Sequence, residues 1–162
     1  MMRTSLLALV ACALAACAPA DPAAPANAPA EAPTTGPRSD FAPVLNVDTA
    51  ASTRSPSGLM TRDLVVGTGE EATAGRRVAV LYTGWLPDGT RFDGNQPSGP
   101  TLPFTIGAGR VIPGWEEGVA GMRVGGRRQL IIPPDLAYGP VAMGPIPANS
   151  TLVFEVELVG VQ

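Results

Sequence analysis

The longest regular pattern in the chain lies at its C-terminus, where residues 151–161 read TLVFEVELVGV. Apolar side chains occupy every second position from Leu152 to Leu158, and Glu155 and Glu157 stand between them. A period of two predicts a β-strand with one face on a hydrophobic core and the other towards solvent. The strand therefore needs sheet partners and a layer that covers its apolar face, and this constrains the fold of the whole chain.

Four other stretches can supply the partner strands. Each is a short run rich in apolar residues, and turns that contain glycine or proline separate one run from the next. The runs span residues 58–66, 76–86, 101–106 and 127–134. In the second run, Val78, Val80 and Tyr82 share one face because they are two residues apart. The sequence therefore predicts an α+β fold in which an antiparallel sheet of about five strands carries one helix across a face.

The predicted helix lies in residues 110–122, RVIPGWEEGVAGM. Its apolar residues recur at helical spacing and form one stripe, which consists of Ile112, Trp115, Val119 and Met122. Pro113 suits the first turn, where its missing N–H is not needed, and Glu116 and Glu117 favour the positive end of the helix dipole. The glycines at 114, 118 and 121 weaken the helix by ~1 kcal/mol each relative to alanine, but they allow it to lie close to the sheet.

The first 17 residues have the layout of a secretory signal, with one arginine, an apolar run and small residues ahead of Cys17. The apolar run is too short to span a bilayer as a mature helix. LAAC at 14–17 resembles the bacterial lipobox, in which the cysteine is acylated and becomes the mature N-terminus. LVAC at 9–12 is the alternative, but it leaves a very short apolar region, so we favour Cys17 over Cys12.

Residues 18–56 are rich in proline and alanine and contain few large apolar side chains. Such a segment cannot bury enough surface to offset the entropy lost on ordering. We therefore predict a disordered tether over residues 18–56, ahead of a single globular domain over residues 57–162.

The composition excludes several classes of function. Both cysteines lie within the first 17 residues and histidine is absent, so the predicted domain has no thiol, no Cys–His or Ser–His–Asp arrangement and no cysteine or histidine metal ligand. The net charge of −3 and the pI near 4.8 argue against nucleic acid as a partner. All basic residues are arginine, and the arginine pairs at 76/77 and 127/128 are expected at solvated strand edges. No cofactor and no metal are expected.

Four motifs resemble the FKBP-type peptidyl-prolyl cis–trans isomerases, in the order in which that family has them. They are YTG followed by FD (residues 82–84 and 92–93), VIPGWEEG (111–118), AYG (137–139) and TLVFEVEL (151–158). The resemblance runs from about Gly58 to the C-terminus. It implies a strongly twisted sheet wrapped around one short helix, and a prolyl isomerase that needs no cofactor.

The resemblance also implies a pocket that binds the substrate proline. The residues implied as catalytic are Tyr82, Phe92, Asp93, Ile112, Trp115 and Tyr138, and those implied as substrate-binding are Leu102, Val111, Ile146 and Phe154. Trp115 would be the floor under the prolyl ring. Leu102 stands where the family usually has an aromatic residue, and the loop over 139–149 looks shorter than usual, so the peptide preference is left open.

The residues alone leave other interpretations open. The aromatic side chains fit a plain core as well as a pocket, and Asp93 fits a turn cap as well as a pocket role. The alternative to an isomerase is a non-catalytic FKBP-like chaperone or peptide-binding module, and a structural lipoprotein domain is a weaker rival.

As an isomerase, the protein is expected to act on proline-containing unfolded or nascent polypeptides, and macrolide inhibitors of the family are expected to compete for the pocket. A lipid anchor on Cys17 would place it outside the cytoplasm. In a Gram-negative host, Ala18 after the cysteine favours the periplasmic side of the outer membrane.

Overall fold

The computed structural model describes residues 41–162. The predicted signal segment, the predicted lipidation site and residues 18–40 of the predicted tether lie outside the described residues. Among residues 41–162, no helix has the length and apolar character that crossing a membrane requires.

One antiparallel sheet and one short helix make up the described fold. The strands are β1 (Thr53–Arg54), β2 (Met60–Val65), β3 (Arg77–Trp85), β4 (Arg91–Gly94), β5 (Leu102–Thr105), β6 (Arg127–Ile132) and β7 (Leu152–Val161), and helix α1 (Pro113–Val119) lies between β5 and β6 in the chain. The sheet order is β1-β2-β6-β7-β3-β4, and β5 pairs with β3. Two 3-10 turns, Pro43–Leu45 and Pro134–Leu136, complete the elements.

The predicted fold class is confirmed, because the sheet is antiparallel and a single helix packs on it. The predicted strand number is too low, since the described residues form seven strands. The sequence pattern misses β1, which has two residues and lies in the predicted tether, and β4, which has four residues. Elements this short give too few alternations to be recognised.

The core lies between α1 and the inner face of the sheet. On β7, Leu152, Phe154, Val156 and Leu158 are buried, as the alternation predicts. Gly114 and Gly118 allow the helix to approach closely, because an added Cβ would lie 2.4 Å from Ile132 and 2.7 Å from Leu130.

The third glycine of the helical segment has a different role. Gly121 follows the helix with φ +78°, and an added Cβ there would meet no atom within 4 Å. The expectation of close packing is therefore wrong for this glycine, which allows the chain to turn in the left-handed region.

The outer face of the sheet is covered in part by residues 41–54, here called the N-terminal strap. Leu45 is buried, and its carbonyl accepts a hydrogen bond at 2.8 Å from Nε2 of Gln129, which is itself buried on β6. The Ala42 N–H donates to the Pro87 carbonyl at 2.7 Å, and β1 pairs with β2.

The predicted tether therefore extends too far towards the domain. Residues 41–54 are ordered because the sheet offers them an edge strand and a buried site for Leu45.

Arg128 differs from the solvated arginine that the sequence suggests. Its guanidinium is half-buried and donates to both carboxylate oxygens of Asp63, at 2.5 and 3.1 Å. It also donates to the Gly118 carbonyl at 2.9 Å, near the C-terminus of α1, where carbonyl groups lack partners within the helix. Arg128 therefore links β2, β6 and the helix.

Candidate active site

A cavity of about 390 Å³ opens between the start of α1 and the adjoining strands. The strands contribute Tyr82 from β3, Phe92 and Asp93 from β4, Leu102 from β5 and Phe154 from β7. The helix and the flanking loops contribute Gly109, Arg110, Val111, Ile112, Trp115 and Tyr138. The lining is mainly apolar and aromatic, with a few polar groups, as is usual for sites that bind small apolar groups.

The indole of Trp115 lines this cavity and is only 4% exposed. It makes edge-to-face contacts with Tyr82, at a ring-centroid distance of 4.9 Å, and with Phe154, at 5.2 Å. Phe104 packs against it at 6.0 Å. Edge-to-face pairs are favoured geometries that add about 0.5–1.5 kcal/mol each beyond burial, so the indole is held rigidly.

Gly84 makes room for two aromatic rings of the site. Phe92 and Phe154 meet edge to face at 5.5 Å, and an added Cβ at Gly84 would lie 2.7 Å from Phe92 Cζ and 2.6 Å from Phe154 Cε1. The glycine of the YTG motif is therefore required by packing. Because Gly84 lies two residues from Tyr82, the sequence indicated that it is near the site, but the sequence alone does not say which rings it accommodates.

A hydrogen bond joins Tyr82 to Asp93. The Tyr82 hydroxyl donates to Oδ2 of Asp93 at 2.8 Å, and Oδ1 of Asp93 accepts from the Gly94 N–H at 2.7 Å. Asp93 therefore lines the cavity and also accepts a backbone N–H, and its role in the reaction stays a prediction. Burial, followed by the hydrogen bond to Asp93 and its charge, raises the pKa of Tyr82 to about 12. Tyr82 is thus a hydrogen-bond donor at neutral pH.

The Ile112 N–H is an unused donor at the cavity wall. Ile112 precedes the helix with φ −59° and ψ 146°, and its carbonyl accepts from the N–H groups of Trp115 and Glu116. Within residues 41–162 its own N–H has no acceptor. An amide in this position can donate to a ligand carbonyl, as the sequence analysis expects.

The structure brings all the predicted site residues to this cavity except Ile146. That side chain is 6% exposed and belongs to the hydrophobic core, and its backbone forms paired hydrogen bonds with Met143 at 2.9 and 3.0 Å. The cavity lining therefore does not include Ile146, and its role as a substrate-binding residue stays a prediction. The roles of the other residues stay predictions.

Gly109 and Arg110 also line the cavity, although they are not among the predicted site residues. Both directly precede the VIPGW motif, so their proximity to it was the available signal. The interpretation of the two glutamates as residues that favour the helix dipole is also incomplete. Glu116 accepts a hydrogen bond from the Gly109 N–H, and Glu117 accepts one from Ser57.

Fold and site define a domain with one helix on an antiparallel sheet and a pocket lined largely by aromatic and apolar side chains. The family model described as FKBP-type peptidyl-prolyl cis–trans isomerase matches residues 68–159. The chain belongs to this family of isomerases.

Individual relatives agree with this assignment. The FK506-binding protein of Neisseria meningitidis serogroup B is 49% identical over 105 residues, which cover 64% of this chain and 96% of that protein. The crystal structure of FkpA from Escherichia coli matches with a TM-score of 0.63 and 42% identity, over 69% of this chain and 52% of that one. The structure of AtFKBP13 matches with a TM-score of 0.63 and 41% identity, over 67% of this chain and 97% of that one.

Proposed function

We propose that the protein accelerates cis–trans isomerisation of X–Pro bonds in extracytoplasmic polypeptides, by desolvating the amide and stabilising its twisted form. The observation that carries the proposal is the pairing of a buried indole floor with an unused amide donor on the same cavity. Trp115 supplies the floor, and the Ile112 N–H supplies the donor.

The reaction requires no nucleophile and no bulk proton transfer. Rotation about an X–Pro bond has a barrier of ~18–20 kcal/mol because it breaks amide resonance. The planar amide is more polar than the twisted one, and water therefore stabilises the ground state more. An apolar cavity that removes this water lowers the barrier, and each 1.36 kcal/mol removed gives about a tenfold rate increase.

The polar groups of the cavity act on the rotating carbonyl. The prolyl ring packs on Trp115 and stays fixed while the preceding carbonyl turns. The Ile112 N–H donates to a substrate carbonyl and holds the peptide in register. Asp93, which Tyr82 holds by a 2.8 Å hydrogen bond, and the exposed Tyr138 hydroxyl favour the twisted amide electrostatically.

Isomerisation of a short X–Pro peptide, measured by NMR exchange spectroscopy, tests this proposal. The wild-type chain should accelerate exchange well above the uncatalysed rate, and an FK506-type macrolide should abolish the acceleration. Phe92→Ala and Trp115→Ala should each lower kcat/KM at least about tenfold, and Asp93→Ala should reduce it with the fold intact.

Trp85→Ala is the matched control, because this second tryptophan lies on β3 away from the cavity lining. It should keep kcat/KM within about twofold. No acceleration by the wild-type chain would refute the proposal. Suppression of client aggregation that persists in Trp115→Ala, without isomerase activity, would instead support a non-catalytic chaperone.

We further propose that Cys17 carries a lipid anchor that holds the protein on the extracytoplasmic side of a bacterial membrane. The lipobox-like LAAC and the preceding apolar run support this assignment. Cys17→Ala should move the protein out of the membrane fraction, whereas Cys12→Ala should leave it there. A Cys17→Ala protein that remains with the membrane would refute this assignment.

A further inference from the structure

Part of the cavity wall is a loop with few hydrogen bonds of its own. Gly109, Arg110, Val111 and Ile112 all line the cavity and belong to the connection between β5 and α1. Within the described part of the chain, the N–H groups of Arg110, Val111 and Ile112 have no acceptor.

The Gly109 N–H is the exception, since it donates to Oε1 of Glu116 at 2.7 Å. This contact joins the start of the wall to the first turn of α1. Gly109 has φ +66°, a backbone conformation that glycine adopts more readily than other residues.

We propose that Glu116 is a positioning residue of the isomerase site: its carboxylate fixes the loop that carries the Ile112 N–H. This inference rests on the proposed function. Glu116 is half-buried in the first helical turn, where the positive end of the helix dipole favours a carboxylate. A charged acceptor also makes the bond to an amide stronger than a neutral one would.

The consequence for catalysis is one of alignment. Without the Glu116 bond, the wall keeps the hydrogen bonds of the Ile112 carbonyl to the helix and the packing of Val111 and Ile112 on the core, but its Gly109 end is no longer tied to the helix. The Ile112 N–H then samples more orientations, and a substrate carbonyl meets the donor less often in the productive geometry. Misplacement of about 1 Å lowers rates up to about a hundredfold in well-aligned sites.

The neighbouring glutamate provides a matched control. Glu117 follows Glu116 in the same helix, but its carboxylate accepts hydrogen bonds from the Ser57 hydroxyl at 2.9 and 2.8 Å. Ser57 lies between β1 and β2 and does not line the cavity. Loss of either carboxylate removes a surface contact of the helix, but only loss of Glu116 frees the cavity wall.

The experiment compares the full-length wild-type chain with Glu116→Ala, Glu116→Gln and Glu117→Ala. We expect Glu116→Ala to lower kcat/KM for an X–Pro peptide by about five- to fiftyfold. Glu116→Gln should recover most of this loss, because its side-chain carbonyl can still accept the Gly109 N–H. Glu117→Ala should stay within about twofold of the wild type. The Tm of the two alanine variants should be similar.

Hydrogen exchange of the Gly109 amide gives a readout that is independent of activity. Exchange should accelerate about tenfold or more in Glu116→Ala and remain near wild type in Glu117→Ala. Equal activity losses in the two alanine variants, or wild-type activity in Glu116→Ala, would overturn the positioning role. An inactive wild-type chain would overturn the proposed function itself. Unchanged exchange of the Gly109 amide in Glu116→Ala would overturn the contact between Glu116 and the loop, whatever the activity of the chain.

Discussion

Replacing Gly114 with alanine should destabilise the protein, although it removes a glycine from a helix. In an exposed helix this change adds about 1 kcal/mol of stability. Here the new Cβ would lie 2.4 Å from Cγ2 of Ile132, whereas carbon atoms in contact are normally about 3.5–4.0 Å apart. Ile132 is fully buried, and its Cγ2 moves only if the stiff χ1 angle changes. Overpacking costs about 1–3 kcal/mol, and the 2.4 Å approach places this site towards the upper end of that range. After the gain of about 1 kcal/mol is subtracted, we expect a net loss of up to about 2 kcal/mol.

Gly118→Ala is the matched comparison for Gly114→Ala. Its new Cβ would lie 2.7 Å from Cδ2 of Leu130, which is the end of a more flexible side chain. We expect a loss of at most about 1 kcal/mol, smaller than that of Gly114→Ala. Urea unfolding of the full-length chain measures both losses as shifts of the midpoint at constant slope.

A double-mutant cycle separates the overlap from other effects. Combining Gly114→Ala with Ile132→Ala should cause less destabilisation than the sum of the single changes, because the overlapping atoms are gone. Stabilisation of about 1 kcal/mol by Gly114→Ala, or a cycle without coupling, would refute the close approach of helix and sheet.

Three further predictions concern stability. The pKa of Tyr82 is about 12 in the folded chain against an ordinary value of 10.0, so the folded state holds the proton more tightly. The stability that protonated Tyr82 contributes is complete below about pH 10 and is lost between about pH 10 and 12. Tyr82→Phe should reduce the fall of the urea midpoint over this pH range, and an unchanged fall would contradict the raised pKa of Tyr82. Arg128→Ala should lower the free energy of unfolding by about 1–3 kcal/mol. Arg127 has an exposed side chain, so Arg127→Ala should lower it by less than about 0.5 kcal/mol. Equal urea midpoints for the two variants would argue against the link from Arg128 to the helix. Leu45→Ala should cost about 2 kcal/mol or more, whereas Val44→Ala, at 78% exposed, should leave the Tm unchanged; equal Tm values would contradict docking of the strap.

The parts of the fold that the sequence predicts are those with repeated patterns. The alternation in β7 identifies its buried face because a strand of ten residues provides several periods. Val153 is also buried, although its position in the alternation points away from the helix. Burial on that second face depends on what packs there, and the N-terminal strap is too short to give a periodic signal of its own.

Site residues that belong to sequence motifs could be predicted. Residues whose position depends on contacts between distant parts of the chain could not. The resemblance placed Trp115 and Phe154 in one pocket, and the geometry brings them together at 5.2 Å. It placed Ile146 there too, but that side chain is buried in the core and is not among the residues that line the cavity. The bond from Gly109 to Glu116 depends on how a loop turns back onto a helix, which spacing alone does not specify.

The N-terminal strap has a practical consequence for truncation. A fragment that begins at residue 57, the predicted domain boundary, would lack Leu45 and β1. Nε2 of Gln129 would lose its acceptor, and the buried Oε1 of the same side chain already has no partner among the described residues. Strand β2 would also lose its edge partner. Unpaired edges invite association between molecules, so this fragment should self-associate more readily than one that begins at residue 41.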